Sequence, residues 1–144
     1  MVLTPLIRQA TRADVPALVV IERESFSRPN WTAKDFLGEE CLVAEIDGQI
    51  AGLLVCRQTF PGDLTSLPER EILNVAVARR FRRQGVASAL LRHLLAEKAV
   101  YTLEVRESNV AAQQLYRAFG FVEIAHRAGY YQSPPERAIV MQVK

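Results

Sequence analysis

The stretch Ile72-Leu73-Asn74-Val75-Ala76-Val77, then Arg79 to Phe81, then Arg82-Arg83-Gln84-Gly85-Val86-Ala87 and an apolar helical pattern from about Ser88, constrains the fold more than any other part of the chain. A buried strand that ends in a basic, glycine-containing turn and opens directly into a helix aims free backbone N–H groups, and the positive end of a helix dipole, at one point. A phosphate suits that point. Gly85 and Ala87 carry little or no side chain, so a pyrophosphate can approach the main chain closely, and Arg82 and Arg83 stand beside it to supply full charges. No Gly-Lys-Ser/Thr follows, which excludes a P-loop, and the G-x-G-x-x-G of a dinucleotide fold is missing.

The rest of the chain alternates strand and helix signals. Pro5 to Gln9 reads as a short first strand, and Thr11-Arg12-Ala13-Asp14 as a capping-box start for a helix to about Ser25, with Val15, Leu18, Val19, Ile21 and Phe26 on its apolar face. After Pro29, Trp31 to Phe36 starts a shorter helix capped by Thr32. Strands of roughly Cys41 to Ile46 and Gln49 to Arg57 flank Asp47-Gly48, and a loop with Pro61-Gly62 and Pro68 leads to a central strand, Glu71 to Ala78. The helix after the basic turn places Val86, Ala89, Leu90, His93, Leu94 and Glu97 at helical spacing and ends near Lys98. A strand Tyr101 to Arg106, a helix Asn109 to Phe119 stopped by Gly120, and strands near Phe121 to Arg127 and Ala138 to Val143 complete the chain. Strands with interleaved helices predict the α/β (α+β) class: one mixed sheet with helices on both faces.

Composition narrows the function classes. At 144 residues and 49% hydrophobic, residues 1–144 are expected to form a single domain with one core. No apolar run approaches the roughly 20 residues needed to cross a bilayer, and the N-terminus has neither a basic start nor a signal-like core, so the expected location is cytoplasmic. A net charge of +2 is too small to argue for specific nucleic-acid binding. Cys41 and Cys56 have no metal-ligand spacing, and His93 and His126 read as surface or flank residues, so no metal is expected. If Asp47-Gly48 closes a two-residue hairpin, Cys41 lies opposite Leu54 and Cys56 is a diagonal neighbour at roughly 7–8 Å. That is the outer limit for a disulfide and favours two reduced, packed thiols.

The pattern Arg82-x-x-Gly85-x-Ala87 after Val75-Ala76-Val77 resembles the acetyl-CoA pyrophosphate loop of the GNAT superfamily of N-acetyltransferases. Leu103-Glu104-Val105-Arg106-Glu107-Ser108-Asn109, Ala111-Ala112, Leu115-Tyr116 and Phe119-Gly120-Phe121 resemble the second half of the same core. Together they resemble the RimI type, which acetylates the N-terminal alanine of a ribosomal protein, and the resemblance covers nearly the whole chain. It implies the GNAT fold, a mixed, mostly antiparallel sheet of six to seven strands with about four helices, and acetyl-CoA as cosubstrate. Two departures stand out. Ala78-Arg79 replaces the family's usual acidic residue or histidine followed by proline, and Arg137 replaces a usual acidic residue.

The resemblance also assigns roles. Glu104 matches the general base, acting through a water, and Tyr116 the tyrosine that protonates the departing thiolate. A solvent-facing strand glutamate and a core aromatic beside Leu115 and Phe119 are the structural alternatives. Coenzyme contacts fall on Val75, Ala76 and Val77, on Arg82, Arg83, Gln84, Gly85, Val86, Ala87 and Ser88, and on Asn109 and Tyr116. Asn109 is equally a helix cap, and Arg79 and Arg80 read as solvated. Acceptor contacts fall on Trp31, Asn74, Glu104, Tyr130, Tyr131 (the last two before Pro134) and Arg137. Asn74 and the tyrosine pair each have a structural reading as well, a polar strand position and edge packing. Glu71 is a reserve base.

An α-amino group titrates near 8 and a lysine near 10.4, so at neutral pH the neutral nucleophile is about a few hundred times more abundant at an N-terminus. A lone glutamate suits that easier amine. The expected partner is therefore a protein N-terminus, with a ribosomal protein foremost. A small amine or another protein as acceptor, and a non-catalytic acetyl-CoA or RNA-binding module, remain open alternatives.

Overall fold

The computed structural model describes residues 4–25, 31–132 and 135–144. Seven strands form one sheet in the order β1-β2-β3-β4-β5-β7-β6: β1 (Leu6–Gln9), β2 (Glu40–Ile46), β3 (Gln49–Phe60), β4 (Glu69–Val77), β5 (Val100–Arg106), β6 (Val122–Gln132) and β7 (Pro135–Val143). Among the described residues four α-helices accompany them: α1 (Val15–Ser25), α2 (Ala33–Leu37), α3 (Val86–Leu95) and α4 (Val110–Ala118). The mixed sheet and helix count agree with the expectation from sequence. None of the described helices is long and apolar enough to cross a membrane. The chain divides into two compact units, Met1–Arg57 with Asn74–Ala96, and Gln58–Leu73 with Glu97–Lys144.

In the first unit β1 pairs antiparallel with β2, and β2 with β3. Asp47 and Gly48 both have positive φ, +49 and +76, as a tight hairpin turn matched to strand twist requires. The expected register holds for the two pairs next to the turn, Ile46↔Gln49 and Glu45↔Ile50, and then fails. A bulge in β3, with Ala51 as the extra residue where the register shifts between Ala44 and Glu45, brings Gly52 opposite Ala44, so Cys41 lies opposite Val55 rather than Leu54. Cys56 is opposite Glu40, which puts the two thiols on opposite faces of the sheet. Both are free and buried, and burial pushes the Cys41 thiol up to about 12. Packed, reduced cysteines are thus the outcome, by a geometry the simple hairpin did not anticipate.

Local capping sets the helix starts. Thr11 precedes a 3-10 turn, Arg12–Asp14, that leads into α1. The Asp14 carboxylate accepts from the Thr11 N–H at 2.7 Å and from both Nη atoms of Arg8 at 2.8 and 3.0 Å. Thr32 begins α2 in the same way, its N–H donating to Asp35 at 2.8 Å. Val15, Leu18 and Ile21 are buried as expected, while Phe26 and Pro29 lie outside the described residues. Helix α3 stops at Leu95, short of Lys98, and buries Leu91 with Val86, Leu90 and Leu94; His93 and Glu97 are exposed. Gly52 leaves room for a close approach: a Cβ there would sit 2.8 Å from Val86 Cγ1 and 3.0 Å from the Ala76 carbonyl oxygen.

In the second unit β4 pairs parallel with β5 from Glu69↔Val100 to Ile72↔Leu103, β5 antiparallel with β7, and β7 with β6. Tyr101, Leu103, Val105, Phe121, Ala138, Ile139 and Met141 are its core. The last two strands extend beyond the expected Arg127 and begin before Ala138, because the β6–β7 hairpin continues through an irregular stretch between Arg127 and Tyr131. Pro134 lies outside the described residues.

Candidate active site

The turn after β4 is built from main-chain bonds of the first unit. The Ala78 N–H donates to the Ala51 carbonyl at 2.7 Å, and Arg79–Phe81 form a 3-10 turn. The Arg79 N–H donates to Glu24 Oε1 at 3.2 Å, a bond that proline, lacking an N–H, would not make. Arg82 turns its guanidinium to the carbonyls of Val77 (3.3 Å) and Glu24 (3.4 Å) and so braces the turn. Arg83 and Gly85 have φ of +63 and +76, and that double reversal carries the chain into α3. The first helical bond runs from the Ala89 N–H to the Gly85 carbonyl. The N–H groups of Val86, Ala87 and Ser88 therefore have no acceptor within the helix. A methyl built on Gly85 would meet nothing within 4 Å. Three unsatisfied donors, a helix N-terminus, exposed Arg83 and Gln84 and open space at Gly85 together fit a pyrophosphate.

Asn74 and Trp31 are joined by a residue that the sequence did not single out. Glu22 of α1 is only 2% exposed. Its Oε2 accepts from Asn74 Nδ2 at 2.8 Å and its Oε1 from the Trp31 N–H at 3.3 Å. The Trp31 ring packs on Phe36 with centroids 5.2 Å apart. The signal was available, since Glu22 follows Val15 and Leu18 by seven and four residues and so falls on the apolar stripe of α1.

In the second unit Glu104 lies opposite Val140 near the middle of β5. Its side chain is 18% exposed, Oε1 pairs with Arg127 Nη1, and Oε2 is buried without a hydrogen-bond partner. Tyr116 is buried against Phe121, ring centroids 5.7 Å apart. Burial pushes its phenol up to about 12, so it stays protonated at working pH. Asn109 caps α4, its Oδ1 accepting from the Ala112 N–H at 3.2 Å. Gln113, one turn before Tyr116, donates from Nε2 to the carbonyls of Arg106 (3.1 Å) and Glu107 (2.8 Å). That residue also escaped the sequence reading; it ties the Tyr116 face of α4 to the end of the Glu104 strand.

The β6–β7 hairpin gathers the remaining candidates. Tyr130 and Tyr131 stand edge to face at 5.1 Å, with Arg127 over Tyr130 at 4.8 Å and Arg106 over Tyr131 at 4.2 Å. Hydrogen bonding toward Glu104 raises the Tyr130 phenol, and burial takes that of Tyr131 to about 12. Arg137 is not placed with them. It makes a two-pronged ion pair with Glu107, Nε to Oε2 at 2.9 Å and Nη2 to Oε1 at 2.8 Å. Glu71 is half-buried on β4 opposite Thr102. Among the described residues no cluster of three or more His, Cys, Asp or Glu could hold a metal ion.

The sheet order and the basic turn opening into α3 are those of an acetyl-CoA-dependent acyl-group transferase. The sequence profile of the Acetyltransferase (GNAT) family matches residues 8–121, and the chain belongs to that family. It is 35% identical over 140 residues to the [ribosomal protein bS18]-alanine N-acetyltransferase of Escherichia coli K12, covering 89% of each chain. Its structure is similar to the crystal structure of the E. coli ribosomal-protein-S18-alanine N-acetyltransferase, with a TM-score of 0.83 at 31% identity over 97% of this chain and 93% of the other. Ard1 from Thermoplasma volcanium superimposes with a TM-score of 0.84 at 28% identity, covering 96% of both.

Proposed function

We propose that residues 1–144 work as one acetyltransferase domain that moves the acetyl group of acetyl-CoA to the α-amino group of a protein N-terminus, with the N-terminal alanine of ribosomal protein bS18 as the acceptor. The observation that carries the chemistry is Glu104, a carboxylate held through one oxygen with its second oxygen buried and unpartnered. The acceptor is supported by the names of the relatives in E. coli and Bacillus subtilis, 35% and 32% identical.

Acetyl-CoA supplies an activated acetyl group, a thioester open to attack by a neutral amine. The N–H groups of Val86, Ala87 and Ser88 receive its pyrophosphate, with Gly85 leaving the approach open and Arg82, Arg83 and Gln84 shaping the turn. Main-chain groups of Val75, Ala76 and Val77, with Asn109, take the pantetheine arm. Glu104 Oε2 accepts the proton of the acceptor amine through a water, and the Tyr116 hydroxyl gives its proton to the thiolate sulfur. The phenol of Tyr116 is held protonated by burial, so it has a proton to give at neutral pH. Trp31, Asn74, Tyr130 and Tyr131 bind the acceptor, and Arg137, at a position where the family usually has an acidic side chain, pairs with Glu107.

Mass spectrometry of peptides with free N-termini and internal lysines, incubated with acetyl-CoA and the protein, tests this reading. Acetylation confined to the α-amino group of alanine-first peptides is the expected result. Modification of lysines, or of polyamines and aminoglycosides instead, would overturn the acceptor assignment. Coenzyme binding without any turnover would overturn the enzyme reading.

A further inference from the structure

Arg127 was not among the residues to which sequence or family gave a role, yet its guanidinium is the cation on Glu104. The two residues are not on neighbouring strands. In the pairing register Glu104 lies opposite Val140 and Arg106 opposite Ala138, while across β7 those same residues face Ala125 and Arg127. Glu104, Arg106, Ala125 and Arg127 therefore share one face of the sheet. To reach Glu104 the Arg127 side chain must span the width of β7, where its register neighbour Ala138 presents only a methyl group.

A second feature holds the guanidinium there. In an unbroken strand residues 127 and 130 would point to opposite faces. The register shift between Arg127 and Tyr131, with Gly129 at φ +62, breaks that alternation and brings Tyr130 under the Arg127 guanidinium at 4.8 Å from its ring centroid. Bulges are a recognised means of re-aiming a side chain beside an active site. Tyr130 in turn abuts Tyr131, which carries Arg106, and Arg106 pairs with Glu136 at 3.2 Å. Glu136 also accepts from the Ser108 N–H just before α4. The Arg127 guanidinium thus has a carboxylate on one side and a braced aromatic ring on another.

The consequence for Glu104 is asymmetric. Oε1 is engaged by Arg127, while Oε2 is buried with no partner. An unpartnered buried oxygen is costly to keep, and a carboxylate free to rotate would turn it toward solvent. We propose that Arg127 is a positioning residue for the general base: by clamping Oε1 it fixes the Glu104 carboxylate so that Oε2 alone is left to accept the proton of the acceptor amine through a water, with the bulge-directed Tyr130 as its brace. This rests on the reading of Glu104 as the base.

Steady-state kinetics of the full chain on an alanine-first peptide, with acetyl-CoA, tests it in a four-protein cycle: parent, Arg127→Ala, Glu104→Gln and the double variant. The expected result is a kcat reduced roughly tenfold or more by Arg127→Ala, with the acetyl-CoA KM unchanged and the Tm within about 2 °C, because the side chain is 55% exposed. Arg127→Lys should restore part of kcat, a cation without the planar fork. In the Glu104→Gln background Arg127→Ala should change the residual rate by less than about twofold, since its effect passes through Glu104. Parental kcat in Arg127→Ala with a strong loss in Glu104→Gln would overturn the clamp alone and leave the base reading standing. An equal loss in both backgrounds would mean that Arg127 acts on the acceptor, which also overturns the clamp. Full activity of Glu104→Gln would overturn base and clamp together. If Arg127→Ala fails to fold, Arg127→Gln carries the same cycle with the side-chain stem retained.

Discussion

Replacing Asn74 by alanine is the sharpest test of how the first unit holds Asn74 and Trp31 on Glu22. Glu22 is 2% exposed and Asn74 7% exposed, and the amide donates to Oε2 at 2.8 Å across a sequence separation of 52. A hydrogen bond to a charged group contributes about 1.5–3 kcal/mol, and a buried carboxylate that loses a donor bears its desolvation more fully. With little volume removed, Asn74→Ala should cost about 2–3 kcal/mol. For a chain of 144 residues each kcal/mol moves Tm by about 3 °C, so the midpoint should fall by about 6–9 °C. Thermal melts followed by circular dichroism measure this directly. The same substitution in a Glu22→Leu background should cost less than about 1 kcal/mol, because no carboxylate remains to be served. Asn74→Asp adds a sign. It would set two carboxylates at hydrogen-bond distance, only one of which can ionise, so the shared pKa in the folded state rises above its unfolded value near 4. Stability of that variant is then fully present below pH 4 and declines as pH rises through the folded pKa, the reverse of a paired carboxylate. A Tm loss under 2 °C for Asn74→Ala, or an equal loss without Glu22, would refute the reasoning.

Asp14 is held down to about 2, chiefly by its hydrogen bonds from Arg8; a depressed carboxylate stabilises above its unfolded pKa and loses that contribution as pH falls through about 2, so the stability gap between parent and Asp14→Asn, roughly 1 kcal/mol after solvent screening, should close between pH 4 and pH 2. Tyr116→Phe keeps the ring on Phe121 and should leave Tm within about 2 °C while lowering kcat about a hundredfold or more; a parental kcat would remove Tyr116 as the acid. Gly85→Ala meets no neighbour within 4 Å but must adopt φ +76, so it should cost about 1–2 kcal/mol and raise the acetyl-CoA KM several-fold, read by melting and by kinetics. Gly52→Ala, with its Cβ 2.8 Å from Val86 Cγ1, should cost about 1–3 kcal/mol by overpacking, and an unchanged Tm would contradict the close approach.

Much of the fold was legible because its signals are local. Thr11, Thr32 and Asn109 begin helices through bonds to residues three positions on, Asp47-Gly48 turns the chain through two positive φ angles, and Gly85 ends the basic turn at φ +76. Each is decided within a few residues by sterics and by donors that need acceptors. The turn–helix junction and the order of strands and helices were therefore readable from the chain, and with them the family. Side-chain roles were less so: Asn109 is visibly a cap, whereas Arg82, read as a charge for the phosphate, also braces the turn by donating from Nε and Nη2 to the Val77 and Glu24 carbonyls.

By itself the sequence determined which segments are strand or helix, where the basic turn into α3 lies, and that Glu104 and Tyr116 occupy a strand and the helix after it. Tertiary structure alone decided what those residues face. The bulge at Ala51 moved Cys41 from Leu54 to Val55, Glu22 found Asn74 across 52 residues, Arg137 turned to Glu107, and the irregular β6 set Arg127 on Glu104 and Tyr130 beneath it. Such pairings depend on strand register, and one extra residue in a strand exchanges every contact beyond it. Periodicity records which face a side chain occupies as long as the alternation runs unbroken; where a bulge breaks it, only the packed sheet fixes which charge meets which.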